Sequence, residues 1–491
     1  MKEWLMLAVI LIPVLGGIGI PFLPTKNGRI KQIYIEGIVL FNSLLTLGLV
    51  LNPPGGRFEI INFVQNLSLS LKMDGLSAVF AGLVALLWPL ATLYAFAYMK
   101  EEKRQGVFFL FYTITYGVTL GIAFSEDLLT MYFFYEILTL VTVPLVLHSM
   151  TREAVLAARN YLYYSLGGAA FAFIALIFII SYGTTADFQP GGVLNLAGIG
   201  DKADVLLLIY VIAFCGFGVK AAIWPFNTWL PQAGVAPTPV TALLHAVAVV
   251  KAGVFAIVRI TYYSFGTEFL RGTWAQTMVM GIAIFTIFYG SCRAVKETHI
   301  KRRLAYSTIS NLSYILFGAL LMTPAGLAAA LTHMIFHGIM KITAFFCAGA
   351  IMHQSKKNFV YELDGLAKRM PVVFTILTIA ALGLMGVPGT MGFVSKWKLA
   401  TAALEVKTLP ALMGVAVLLL SAFLTAIYML TMSIRGFFPA KEGFQSPGKE
   451  IRDPGWQMLV PLMILAAAIL GLGISSWLFT DFIAEAIQGI Q

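Results

Sequence analysis

Charged residues make up only 11% of this 491-residue chain, against 59% hydrophobic residues, and mean hydropathy is +0.86. That balance excludes a soluble globular domain. Cysteine is nearly absent: Cys215, Cys292 and Cys347 stand alone in apolar stretches. No C-x-x-C pair occurs, so the sequence offers neither a disulfide framework nor a zinc or iron–sulfur site. It also lacks a P-loop, a dinucleotide fingerprint, a nucleophile elbow and a haem-ligand pattern. Gly216-Phe-Gly218-Val-Lys220 superficially resembles a phosphate loop, but it lacks the spacing and lies inside an apolar run. The net charge of +10 does not point to nucleic acid, because the basic residues fall in short connections. No cofactor and no metal centre are expected.

What is present is a long series of apolar runs, each about 20 residues. They predict an all-α integral membrane protein with 14 transmembrane helices. The expected spans are 3–23, 30–51, 74–98, 106–123, 128–149, 157–182, 204–224, 236–262, 274–294, 303–322, 325–352, 371–403, 409–435 and 456–479. The first run, from Trp4, is long and lacks a small-residue cleavage site, so it reads as a retained span. Residues 53–73 partly alternate between polar and apolar, which predicts a small hairpin on the membrane surface. The alternate connections hold 21 Lys and Arg on one side against 7 on the other. That bias predicts both termini outside.

Residues 216–259 organise the rest. Lys220 and Lys251 are expected in two apolar helices, with Pro225, Pro231, Pro237 and Pro239 interrupting the backbone between them. A lysine near the bilayer centre costs roughly 2.5–3.5 kcal/mol on insertion scales, so two beside a helix break mark a path for charge. A weak internal repeat supports this. Gly218-Val-Lys220 leading to Trp229 has a later counterpart in Gly386-Val-Pro388-Gly-Thr-Met-Gly392, which leads to Lys396-Trp397. A separation of five spans would invert the second copy, giving repeats over spans 4–8 and 9–13 with helices 7 and 12 broken. The expected divisions are 1–105 (three spans and the hairpin), 106–262 and 274–435 (the two repeats), and 436–491 (a loop and span 14).

The candidate ion-translocating residues are Glu136, Lys220, His245, Lys251, His333, His337, Lys341 and Lys396. Glu136 has no charged neighbour in sequence, and Lys220 is its obvious partner. At about 7 Å and an effective dielectric of about 20, their attraction would be roughly 2.4 kcal/mol. Moving Glu136 towards another cation would release the lysine proton. The alternative is a static pair that fixes helix packing. His245 and Lys251, six residues apart, would project about 120° apart on one helix. His333, His337 and Lys341 recur at i, i+4 and i+8 on one face, a spacing that suits a proton relay bridged by water. A zinc pair is the competing reading, but no Glu follows His333 and no third ligand is evident. Lys396 reads as the terminal donor of the second half, and Lys398 as a side chain that snorkels to the surface. Asp127 and the Arg152/Glu153 pair read as boundary charges.

The stretch Lys220-Ala-Ala-Ile-Trp-Pro-Phe-Asn-Thr-Trp-Leu-Pro, continued by Ala-Pro-Thr-Pro-Val-Thr-Ala-Leu-Leu-His245 and Lys251-Ala-Gly-Val, resembles a known family. So do Phe134-Tyr-Glu136, Leu304-Ala-Tyr-Ser-Thr-Ile-Ser-Asn, the His333/His337/Lys341 series and Gly389-Thr-Met-Gly-Phe-Val-Ser-Lys396. The family is that of the antiporter-like subunits of respiratory complex I and of the D-type component of Mrp sodium/proton antiporters. Similar subunits occur in archaeal membrane-bound hydrogenases and sulfur-reducing complexes. The resemblance covers nearly the whole chain. It implies 14 spans, the inverted repeats, broken helices 7 and 12, and a central polar axis. Glu136 and Lys220 look like the family's first-half ion pair, Lys251 like its central lysine, and Lys396 like the second-half terminal lysine. The His333, His337 and Lys341 group would link the halves. The chain stops at Gln491 without the long lateral helix of the largest relatives, so it looks like the D-type Mrp component or the middle complex I subunits.

The expected function is proton translocation, with sodium as a second candidate ion, inside a multi-subunit complex of a prokaryotic plasma membrane. Expected partners are other antiporter-like and small membrane subunits and the lipid bilayer. The chain should not be an enzyme on its own. The competing readings are a free-standing secondary cation/proton transporter and a structural subunit with a vestigial channel.

Overall fold

Backbone groups at bilayer depth have no water to bond, so apolar runs satisfy them internally by forming helices. The computed structural model describes residues 2–23, 28–64, 67–439 and 450–490. Lys26 and the connection over 440–449, both part of the charge tally, lie outside the described residues.

The N-terminal helices are α1 (Trp4–Gly19), α2 (Gly28–Leu51) and α3 (Gly75–Tyr98). Then come α4 (Gln105–Phe124), α5 (Leu128–Val146), α6 (Arg152–Tyr182), α7 (Ala203–Gly218), α8 (Thr238–Ala246) and α9 (Val249–Arg259). The second half holds α10 (Trp274–Lys296), α11 (Ile300–Leu320), α12 (Pro324–Ser355), α13 (Pro371–Met385), α14 (Met391–Val406) and α15 (Leu409–Phe437). The chain closes with α16 (Trp456–Ile474) and α17 (Trp477–Ala486). Among the described residues, 11 helices are long and apolar enough to cross a membrane. The expected spans 7, 10 and 12 fall outside that set for physical reasons. Helix α7 is short, α11 opens on Lys301-Arg-Arg303, and span 12 is divided into α13 and α14.

The hairpin expected over 53–73 consists of antiparallel strands β1 (Phe58–Val64) and β2 (Leu67–Leu71). Arg57 pins it to Glu126 at 3.1 Å and to Asp187 at 3.0 Å. Burial raises the Glu126 carboxyl above the usual range, against the pull of Arg57. Asp127 caps α5: its carboxylate accepts from Thr130 N at 2.7 Å and from Ser70 Oγ at 2.8 Å.

Span 12 is broken where proline and glycine predicted. Gly386 ends α13 in the left-handed region (φ 88°), Pro388 follows, and Gly389 repeats the positive φ. Three expectations need correction. Helix α7 ends at Gly218, so Lys220 lies in the connection after it, not within a helix. Ala222 there takes φ 54°, and Pro225 lacks the N–H a helix needs. Span 8 is also broken, at Val247–Ala248, so His245 and Lys251 belong to different helices and the 120° estimate does not apply. Finally, three residues counted as connection charges are buried. Arg259 is 2% exposed, and Lys301 and Arg303 are 6% exposed each.

Arg259 ends α9 and holds Asp74, the cap of α3, at 2.5 and 2.8 Å through its two terminal nitrogens. It also bonds Ser77 at 2.9 Å and stacks among Phe188, Phe255 and Tyr263. This clamp fixes the N-terminal helices to the broken span. Removing one partner of a buried pair costs about 3–5 kcal/mol. Arg259→Leu should therefore lower the thermal melting point of the detergent-solubilised complex markedly. Asp74→Leu added to it should recover part of the loss. An unchanged melting point for Arg259→Leu would contradict the clamp.

Candidate ion-translocation axis

The breaks decide where the charges sit. Beyond the end of α7, the Lys220 ammonium donates to the Tyr135 carbonyl and lies 3.3 Å from the centroid of that ring. Glu136 Oε1 is 4.0 Å away, nearer than the 7 Å assumed from sequence. At an effective dielectric of about 20 the attraction is roughly 4 kcal/mol. Lys220 is 1% exposed and Glu136 is 22% exposed. Among the described residues that Glu136 oxygen has no hydrogen-bond partner, which leaves it available to water. The close seat of Lys220 depends on Gly253 in α9. A Cβ there would stand 2.4 Å from Ala221 N and 3.0 Å from Lys220 Cβ.

Lys251 starts the next step. Its ammonium lies 2.9 Å from His337 Nδ1 on α12, and both side chains are fully buried. Helix α12 carries His333 one turn away, its ring 5.9 Å from His337 and stacked on it. His333 Nδ1 is 2.9 Å from Ser395 Oγ, and its ring is 5.4 Å from Tyr314. Lys396, next to Ser395, lies 5.3 Å from the Tyr314 ring centroid. Its ammonium donates to the carbonyls of Leu384 (2.5 Å) and Met385 (3.1 Å) at the end of α13. The C-terminal end of that half-helix carries partial negative charge, which suits a cation.

The candidates thus fall into two contact groups, Glu136 with Lys220, and Lys251 with His337 and His333, the second reaching Lys396 by way of Ser395 and the Tyr314 ring. Two more stand beside the second group. Lys341 is fully buried but bonds Ser307 Oγ at 2.7 Å, and Tyr428 OH donates to the same oxygen at 2.8 Å. His245 packs on Phe345 with 4.8 Å between centroids, and neither of its ring nitrogens has a partner among the described residues. The unpaired Nε2 atoms of His333 and His337 add to a run of buried polar atoms that water would satisfy. Among the described residues no group of three His, Cys, Asp or Glu is placed to hold a metal ion.

Sequence reading missed Tyr135, Tyr314, Ser307, Ser395 and Tyr428. Tyr135 and Ser395 adjoin Glu136 and Lys396, which was the available signal. It also missed Lys301, whose buried ammonium donates to the Ala236 carbonyl at 2.8 Å.

A family model described as the transmembrane region of NADH:quinone oxidoreductase and the Mrp antiporter matches residues 125–436. The chain belongs to this family. A second model, for the N-terminus of complex I chain 5, matches residues 61–109. The N subunit of NADH-quinone oxidoreductase from Desulforudis audaxviator is 29% identical, with 85% of this chain and 84% of that one aligned. A Rhizobium meliloti protein, named as the A/B component of a probable K(+)/H(+) antiporter, is 32% identical over 96% of this chain, which spans 47% of that protein's length. Two solved structures share the fold at 22% identity each. One is a chain of the archaeal membrane-bound sulfane sulfur reductase (TM-score 0.85; 99% of this chain and 97% of that one covered). The other belongs to the Mrp complex of a Dietzia species (TM-score 0.84; 100% and 99%). The chain is thus a multi-pass membrane subunit of the Mrp and complex I type.

In this antiporter-type chain, Gly253→Ala should push the Lys220 segment away from Glu136. Ion transport by the assembled complex should fall several-fold. Transport measured in vesicles decides this, and an undiminished rate would show that the close approach is dispensable.

Proposed function

We propose that this chain translocates protons through the buried series from Glu136 to Lys396, as one membrane subunit of a larger complex. The observation that carries the reading is the 2.9 Å contact between Lys251 and His337. It joins Lys251 of the first half to the imidazole pair that leads to the second half. Each lysine on the path has a different partner: a carboxylate, an imidazole, or backbone carbonyls. A proton moving along such a series changes the attraction at the next step, and that is how the Glu136–Lys220 pair would act as a switch. Sodium is the second candidate ion, taken in exchange for protons. Family membership favours a subunit over a free-standing transporter.

The same reading places 14 crossings in the membrane, with inverted repeats over spans 4–8 and 9–13. Two features support it: Lys220 lies over the Tyr135 ring and Lys396 over the Tyr314 ring, each beside a helix break. Tyr135 is in the fifth expected span and Tyr314 in the tenth. The complex would lie in a prokaryotic plasma membrane with both termini of this chain outside. Neighbouring antiporter-like and small membrane subunits would supply redox energy or an ion gradient. The chain itself would not be an enzyme.

The test is proton movement, followed by a pH dye, in vesicles holding the whole native complex with Lys220→Ala, with and without sodium. In a complex shown to assemble, transport should collapse, and the sodium dependence should name the exchanged ion. Unchanged transport would make Lys220 structural and overturn the proposal.

A further inference from the structure

A basic cavity lies among the N-terminal helices, apart from the lysine axis. At the end where α2, α4 and α16 begin and α3 finishes, a space of about 1,130 Å³ is lined by Arg29, Lys31 and Lys100. Arg29 and Lys100 are exposed, so the cavity opens at the surface. Among the described residues Glu36 is the only carboxylate on its wall, and the three cations outnumber it. The backbone adds to their charge. Gly28, Gln105 and Trp456, the first residues of α2, α4 and α16, all line the cavity. Three helix starts bring partial positive charge there, against the single negative end of α3. Lys100 is held in a fixed turn, because Gln105 Nε2 donates to the carbonyls of Met99 at 2.7 Å and Lys100 at 2.6 Å. Lys31 lies over the first turn of α4, since a Cβ on Gly106 would stand 3.1 Å from its Nζ. A cation held against a helix start is repelled there, and an anion between them relieves the repulsion.

An apolar feature adjoins the basic one along α16. Trp456, Met463 and Leu470 are exposed and recur every seven residues, so they share one face of that helix. Trp456 is on the wall of the basic cavity. Met463, about 10 Å further along the helix, lies in a groove of about 340 Å³ between α16 and α13. Pro371, Val372, Ile376 and Ala466 form most of the rest of that groove. At the cavity itself Gln457 Nε2 reaches Gln32 Oε1 at 3.5 Å, too long for a strong hydrogen bond, so this contact holds α16 to α2 weakly.

A free anion would use the basic cavity and leave the exposed stripe and the groove without an occupant. A membrane phospholipid uses both. We propose that this is a binding site for one anionic diacyl phospholipid. Its phosphate lies among Arg29, Lys31 and Lys100 and faces the three helix starts. Trp456 sits beside it at the level where indole rings favour the membrane interface. One acyl chain follows Met463 into the groove between α16 and α13. Basic pockets between membrane helices on the side richer in Lys and Arg recognise lipid headgroups by this chemistry. The cavity is on that side, since Arg29, Lys31 and Lys100 all belong to the connections with the larger count. The lipid then bridges α16 to the N-terminal helices where the Gln457–Gln32 contact is weak. The site does not depend on the lysine axis being the transport path.

The experiment adds dioleoyl phosphatidylglycerol, dioleoyl phosphatidylcholine or inorganic phosphate to the delipidated native complex. Native mass spectrometry counts the bound lipids, and the melting point confirms assembly. Each basic side chain near a membrane surface is worth roughly fivefold in anionic-lipid binding. Arg29→Gln, Lys31→Gln and Lys100→Gln combined should therefore weaken phosphatidylglycerol binding at this site about a hundredfold, and one bound lipid should disappear from the count. Lys356→Gln with Lys357→Gln, outside the cavity wall, should keep it. Phosphatidylcholine should bind the unaltered complex about tenfold more weakly, a comparison that stands even if the triple variant does not assemble. Equal retention of phosphatidylglycerol by the unaltered complex and the triple variant overturns the proposal; a neighbouring subunit then covers the cavity. Equal retention of the two lipids by the unaltered complex overturns it as well. Displacement of phosphatidylglycerol by inorganic phosphate makes this a site for free anions, which also overturns it.

Discussion

A cation at membrane depth must be given a partner, and the axis holds more lysines than carboxylates to give them. Among the described residues only Glu136 offers a negative charge there, and it goes to Lys220. Lys251 rests on an imidazole, Lys341 on a hydroxyl, and Lys396 on two backbone carbonyls. Most of the unusual features of the fold follow from that shortage. At the break in span 12, carbonyls freed from the ladder face an ammonium group. The Lys396 site shows this most plainly, because the carbonyls it uses are the last ones of α13. Helix α12 runs unbroken through the middle because its two histidines and its lysine need a common, fixed face.

The shortage also separates this axis from a set of static ion pairs. A fully paired series would hold every charge in place. Here one carboxylate serves a line of lysines, and imidazoles stand between them. A proton added or removed at any point changes what its neighbours gain from remaining charged. The unpaired Nε2 atoms of His333 and His337 mark where water would complete the line.

How much of this the sequence revealed depended on whether its local chemistry had a fixed structural meaning. Pro388 between Gly386 and Gly389 announces a break by itself, and α13 and α14 divide there. The spacing of His333, His337 and Lys341 defines one helix face, and the structure keeps it, though Lys341 turns to Ser307. The break at Val247–Ala248 was not legible, because neither residue breaks helices. It arises where α12 passes: a Cβ on Gly338 would stand 3.2 Å from the Ala246 carbonyl oxygen. Lys220 was placed inside a helix because apolar residues surround it, and nothing local showed that the turn begins two residues earlier. Arg259 looked like a span-end charge, since its partner Asp74 is 185 residues away. Contacts of that range are set by packing, which a single sequence does not display.

The central claim is that Lys251 is buried in order to carry protons, not to hold helices together. Lys251→Leu tests this directly, because it keeps the bulk and removes the charge. Lys251 faces no carboxylate among the described residues, so removing its charge relieves a desolvation cost that offsets the lost bond to His337. The measurement is proton flux in vesicles of the assembled complex, with the melting point recorded alongside. The account predicts a melting point at or above that of the wild type and a flux reduced by at least about tenfold. Undiminished flux in that complex would contradict it.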